Sequence, residues 1–315
     1  MMLNSTIKKT FRAALAIVCA GTLMAGTAAC GSTSSSGGDK VALLVSTLNN
    51  PFFVDLRDGA QAAAKDLGVD LMVSDAQNDS STQQNQAQNA QSQGAKAVII
   101  NPVDSDAASP AVAPLLSSNL PVISVDRSVT GEDVTSHIAS DNVAGGAQAA
   151  DELAKAVGEK GKVIILQGTP GAASTRDRGD GFKKEIKKYS GIEVVAEQTA
   201  NFDRAEALDV TTNLIQSNPD VVGIYAENDE MALGAIQSLG SKAGTDVKIF
   251  GFDGTEDGLK AVSDGTMVGT IAQQPKELGK KAVEAAVKAI KGESVEKTES
   301  IEVKTVTKEN VADFQ

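Results

Sequence analysis

From Lys40 onward, short runs of β-branched and aliphatic residues alternate with longer stretches whose apolar positions recur at helical spacing. VALLVS is followed by a helical pattern from about Phe52 to Leu67 and then by VDLMVS. The rhythm continues through KAVII, LPVISV, GKVIIL, IEVVAEQ, VVGIY, VKIFGF and MVGTIA, with amphipathic segments such as AEALDVTTNLIQS and EMALGAIQSLG between them. This is a repeating βαβ pattern. Strands this compact and apolar predict parallel sheets covered by helices on both faces, an α/β doubly wound architecture.

In such sheets, ligands bind beyond the carboxyl ends of the strands, where loops converge and helix N-termini offer free N–H groups. The residues at or just after the strand ends are Ser46, Asn50, Asp75, Asn101, Asp126, Arg127, Gln167, Asn228, Asp253 and Gln273. Helix capping accounts for most polar residues at such positions. It does not account for the aromatic residues beside them. Phe52 and Phe53 follow Asn50, Phe252 precedes Asp253, and Phe202 sits in a loop, in a chain with only eight Phe and no Trp. Planar amides and carboxylates next to phenyl rings suit a sugar, whose hydroxyls take directed hydrogen bonds while its C–H faces pack on aromatic faces.

The N-terminus changes the picture of where the chain works. Lys8, Lys9 and Arg12 precede an apolar run from Ala13 to about Ala25 and small residues ending at Cys30. Residues 1–29 read as a signal peptide. The sequence GTAAC ending at Cys30 resembles the lipobox of bacterial lipoproteins, with Thr27 where that pattern usually has Leu; cleavage there makes Cys30 the lipidated N-terminus and membrane anchor. Residues 30–39, rich in Gly and Ser, read as a flexible tether.

Cleaving 29 residues from 315 leaves 286, beyond the size of about 250–300 residues at which one core divides, so two domains are expected. The mature chain carries 26 basic against 41 acidic groups, a formal charge of −15, which argues against nucleic acid as a partner. Only Cys19 and Cys30 occur, and Cys19 leaves with the signal peptide, so no intramolecular disulfide is available. One histidine, His137, and no mature thiol beyond Cys30 provide no multi-histidine or thiolate metal site; none is expected, nor any cofactor or catalytic residue. His137 is assigned a packing role. GTPGAASTRDRG lacks the Gly-Lys-Ser/Thr ending of a phosphate loop and reads as a helix-entry turn. NVAGGAQ is not a dinucleotide fingerprint, since its glycines fall in a helix start with no strand immediately before it.

STLNNPFF resembles the first strand and loop of the ribose-binding branch of the type I periplasmic binding protein family. INPVDSDA, ISVDR, SHIASDN, RDRGDGF, NFDR, AENDEMALGA, GFDGT and TIAQQP resemble it in the same order, so the likeness runs from Lys40 to about Gly292. It implies two doubly wound lobes joined by a three-segment hinge near Ser140, Gln273 and Ile301: residues 40–140 with 274–301, and 141–273 with 302–315. The tail TVTKEN is expected to close the second lobe as a final strand.

The resemblance further implies sugar contacts from Ser46, Asn50, Phe52, Phe53, Asn101, Asp126 and Arg127 in the first lobe. Ser140, Arg178, Phe202, Asn228, Phe252, Asp253 and Gln273 would supply those of the crossover and second lobe. The implied function is capture of a monosaccharide, ribose foremost, by closure of the cleft, and its delivery to the permease of an ABC-type importer. Fructose, galactose, allose or another pentose or hexose is the alternative ligand. A sugar-processing enzyme and a regulator's effector domain are the remaining readings; the signal peptide and the lack of an N-terminal helix-turn-helix weigh against the second.

Overall fold

The computed structural model describes residues 38–315, so the signal peptide, Cys30 and most of the tether lie outside the described residues. Twelve strands and nine α-helices follow one another in these residues. The first part runs β1 (Lys40–Val45), α1 (Pro51–Leu67), β2 (Asp70–Asp75), α2 (Ser80–Ser92), β3 (Ala97–Ile100), α3 (Ser109–Ser117), β4 (Val122–Val125) and β5 (Ser136–Ser140). The second comprises α4 (Asn142–Ala156), β6 (Lys160–Gln167), α5 (Ala173–Ile186), β7 (Gly191–Thr199), α6 (Arg204–Ser217) and β8 (Val221–Ala226). It continues with α7 (Asp229–Leu239), β9 (Lys248–Asp253), α8 (Glu256–Asp264) and β10 (Gly269–Ala272). The chain ends with α9 (Pro275–Ile290), β11 (Thr298–Ile301) and β12 (Lys304–Thr307).

These strands form two six-stranded sheets, ordered β11-β5-β4-β3-β1-β2 and β12-β10-β9-β8-β6-β7. Strands β1, β3 and β4 are buried on both faces because helices cover both, while β2 forms a half-buried edge. Val41, Leu43, Ile99 and Ile123 face α1 and α9, while Ala42, Leu44, Val98 and Ile100 face α2 and α3. The second sheet repeats the arrangement, with α4 and α5 on one side and α6, α7 and α8 on the other. Each fully buried Leu or Ile contributes about 1.5–3 kcal/mol of apolar transfer.

The second sheet departs from the all-parallel expectation: β12 pairs antiparallel to β10. Only residues 302 and 303 separate it from β11, which runs parallel to β5 in the other sheet. A link that short cannot carry the chain to the far end of the second sheet, so β12 enters where β10 ends and must run against it.

Local sequence sets the entry to each site-bearing helix. Asn50 caps α1 from an extended conformation, its side chain accepting from the Phe52 N–H at 2.9 Å, and Pro51 occupies the first helical position. Asn228 caps α7 in the same way through Met231. Strand β5 ends at Ser140, directly before α4, so the expectation that no strand precedes NVAGGAQ was mistaken. Its glycines serve packing instead: a Cβ on Gly145 would lie 2.7 Å from the Phe252 ring, and one on Gly146 2.1 Å from the Arg178 carbonyl oxygen.

Candidate functional site

The carboxyl ends of both sheets face one narrow cavity. It is lined by Asn50, Phe52, Phe53, Asp126 and Arg127 from the first sheet's side and by Ser174, Arg178, Phe202, Asn228 and Asp253 from the second's. All of these but the half-buried Phe202 are buried, so the cleft is shut.

Asp126 follows β4 in a left-handed conformation (φ 64°) that turns its side chain toward the cavity. Its Oδ2 accepts from Asn101 Nδ2 at 3.0 Å and lies 3.6 Å from Arg127 Nε, while Oδ1 is buried with no protein partner. Asn101 is itself fixed, its Oδ1 accepting from the Ser46 N–H at 3.1 Å. Arg127 donates from one guanidinium nitrogen to the Pro102 and Val103 carbonyls at 3.0 and 3.1 Å, and its Nε makes no hydrogen bond within the protein. Burial lowers this guanidinium's pKa, and the adjoining Asp126 opposes that shift.

On the other side, Arg178 donates to Asn142 Oδ1 at 2.8 Å and to the Glu227 carbonyl at 2.7 Å, and approaches Asp253 Oδ1 to 3.6 Å. Asp253 (φ 128°) also accepts from Gln273 Nε2 at 2.7 Å. Burial raises the Asp253 carboxyl well above the ordinary range, with Arg178 pulling against it and Asp229 adding to it. Because its Oδ1 is consumed by the cap, Asn228 presents an Nδ2 that is buried and unpaired.

The aromatic rings carry the guanidinium groups. Arg127 sits 5.3 Å from the Phe53 ring centre and 5.4 Å from that of Phe202, which also lies 5.8 Å from Arg178. Phe202 is thus the ring shared across the cleft, and it too is left-handed (φ 61°). Gly168 makes room for it, since a Cβ there would sit 2.0 Å from the ring.

Nine of the fourteen residues expected to touch a sugar therefore line the cavity. Asn101, Phe252 and Gln273 stand one layer behind. Asn101 and Gln273 bond the two lining carboxylates, and Phe252 stacks 3.9 Å under Arg178. Ser46 reaches the site through Asn101. Ser140, its hydroxyl buried and unpaired, faces a neighbouring crevice that shares Asp126 with the cavity. Asp75 and Gln167 do not line the cavity: Asp75 accepts from the Gln77 N–H in a turn and Gln167 bonds Glu197. Ser174 was missed, although it precedes Arg178 by one helical turn and so shares its face. His137 is half-buried against the Ser124 hydroxyl at 2.8 Å, and burial lowers its pKa.

Carboxylates, guanidiniums, an amide donor and phenyl rings, held rigid and shut away from water between two doubly wound sheets, define a two-lobed ligand-binding protein. The profile described as "Periplasmic binding protein domain" matches residues 41–294, and the chain belongs to that family. The ribose import binding protein of Escherichia coli is 47% identical over 278 residues, 88% of this chain and 94% of that protein. Its counterpart in Bacillus subtilis is 44% identical, covering 87% of this chain and 90% of its own. Among solved structures, an ABC transporter solute binding protein from Bacillus halodurans with bound myo-inositol aligns at a TM-score of 0.84 and 33% identity, over 90% of this chain and 99% of that one. The family and these relatives are named for binding and import, and the protein is a binding protein, not an enzyme. Among the described residues, no helix is long and apolar enough to cross a membrane.

Proposed function

We propose that the protein captures ribose between its two lobes outside the cytoplasm and presents the closed form to the permease of an ABC-type importer. The observation that carries this reading is the set of buried polar atoms left without a hydrogen bond to the protein on the cavity wall: Asp126 Oδ1, Arg127 Nε and Asn228 Nδ2. A carboxylate oxygen, a guanidinium N–H and an amide N–H, interleaved with Phe52, Phe53 and Phe202, match a small polyol that both accepts and donates. Ribose is favoured over other sugars because the ribose import relatives stand at 44–47% identity, against 35% for a xylitol-binding protein and 34% for a D-allose-binding protein.

On this reading nine of the fourteen residues touch the sugar and Ser46, Asn101, Phe252 and Gln273 hold them from behind, while Ser140 lies in the adjoining crevice. The lobes divide at residues 140/141, 273/274 and 301/302, so that three short segments form the hinge. Cys30 carries the lipid that keeps the protein at the membrane, which the basic and apolar run before it supports.

A thermal-shift panel tests the proposal. A ligand at a hundred times its Kd stabilises a protein by about 2.7 kcal/mol. With roughly 2.1 cal/mol/K of unfolding entropy per residue, that raises the Tm of a chain this size by about 5 °C. Ribose should produce this rise at lower concentration than allose, xylitol, fructose or galactose. A larger response to any of these than to ribose overturns the ligand assignment, and no response to any sugar overturns the function.

A further inference from the structure

Asp229 is fully buried, yet it does not line the cavity. It is the first residue of α7, next to Asn228. Its Oδ1 accepts from the Thr270 hydroxyl at 2.7 Å, and its Oδ2 from the Thr255 N–H at 2.8 Å and the Thr255 hydroxyl at 3.1 Å. One carboxylate thus ties together the end of β8, the turn after β9 and strand β10. Two glycines leave it space. A Cβ on Gly251 would lie 2.4 Å from Oδ1, and one on Gly258 2.1 Å from Oδ2.

A carboxylate in the first turn of a helix is commonly there for the dipole alone. That role needs neither full burial nor bonds to two other segments. What the bonds hold is the turn Asp253-Gly254-Thr255, in which Asp253 adopts φ 128° and Gly254 φ 73°. Asp253 is a non-glycine residue in a conformation it would not choose, and it faces Arg178 and the cavity. Thr255, pinned at its N–H and its hydroxyl, is the anchor that keeps it there.

We infer that Asp229 is a positioning residue for sugar binding, acting through the Thr255 anchor to hold the Asp253 carboxylate at the ligand. This deepens the proposed ribose-binding role and rests on it. A double-mutant cycle measured by calorimetry with ribose separates the two. D253A should weaken ribose binding at least tenfold. D229A should weaken it by a similar factor, and the double variant should bind within about twofold of D253A alone, because both changes remove the same contact.

Asp229→Asn should recover most of the affinity. Its amide oxygen can accept from the Thr255 N–H while its NH2 donates to the Thr270 hydroxyl, so a residue needed only for its charge would show no such rescue. Where D229A does not fold, Thr270→Val takes its place in the cycle, with a smaller loss and the same absence of additivity. Losses that multiply in the double variant, or a folded D229A with unchanged affinity, overturn the inference while leaving ribose binding intact. Unchanged affinity in D253A removes both.

Discussion

Asp126→Asn isolates the chemistry of one oxygen. The two side chains have the same shape, and Asn accepts the left-handed φ of 64° as readily as Asp. Its amide oxygen can take over the bond from Asn101 Nδ2, so the inner partner is kept. What changes is the atom facing the cavity: Oδ1, buried and without a protein partner, becomes an N–H donor. A ligand hydroxyl that donated to a carboxylate then meets another donor. Hydrogen bonds to charged groups contribute about 1.5–3 kcal/mol, and about 1.4 kcal/mol is tenfold in Kd, so ribose binding should weaken roughly 10- to 150-fold. Arg127, 3.6 Å away, loses its charge partner but keeps its bonds to the Pro102 and Val103 carbonyls, so the fold and the sugar-free Tm should hold. Calorimetry with ribose and its monodeoxy analogues reads the effect. The analogue lacking the hydroxyl that Oδ1 accepts should bind the natural protein poorly and lose little more in the variant. A folded Asp126→Asn protein with unchanged ribose affinity would refute the assignment of Asp126 as a sugar contact.

Two further outcomes follow from the same geometry. Gly168→Ala places a Cβ 2.0 Å from the Phe202 ring; the half-buried ring can swing outward, so the Tm should move by only a few degrees while ribose affinity falls at least tenfold. An unchanged Kd would mean that Phe202 does not stack on the ligand. Burial pushes the Glu227 carboxyl up from 4.5 to about 8, against the Gly168 N–H, which donates to its Oε2 at 2.8 Å, and against Arg178. The folded protein therefore holds this proton more tightly than the unfolded chain does, and stability is lost as pH rises from about 4.5 to about 8. Glu227→Gln, which mimics the protonated form, should gain Tm relative to the natural protein across that window, and a Tm difference constant with pH would show that Glu227 does not titrate there.

The strands could be read from the sequence because both faces of each sheet are covered, which leaves no polar alternation to obscure runs such as VALLVS and KAVII. The strand ends were legible for the same reason: once the runs stop, the next polar residue lies at the carboxyl edge. Asn50 and Asn228 show why capping and binding were not alternatives. Each caps its helix through Oδ1, and in Asn228 the Nδ2 left over is the unpaired group at the cavity. Asp75 and Gln167 occupy equivalent places and fail as site residues because their side chains are spent on a local turn and on Glu197. Arg178 came only through the family resemblance, since a helix interior carries no local sign of facing a cleft. The direction of β12 was hidden because it depends on the two-residue link from the other sheet, a tertiary constraint with no periodicity of its own.

The closed cleft is held partly by direct contacts between the lobes. The Ser105 N–H donates to the Gly171 carbonyl at 3.0 Å, the Ala173 N–H donates to Ser105 Oγ at 3.1 Å, and Arg176 pairs with Asp106 at 3.3 Å. The ion pair is solvated and contributes little. Against these contacts stand the cavity's polar atoms, which open lobes would return to water and which closure strands at a cost of about 1–3 kcal/mol each. On the proposed reading a bound sugar removes that cost only in the closed form, because Asp126 and Arg127 lie on the first sheet's side of the cavity and Asn228 on the second's. Moving an equilibrium from 1:99 to 99:1 takes about 5.5 kcal/mol of differential affinity. Three such atoms supply roughly 3–9 kcal/mol, a range that spans this figure, so on the proposed reading these three groups account for closure that depends on the sugar.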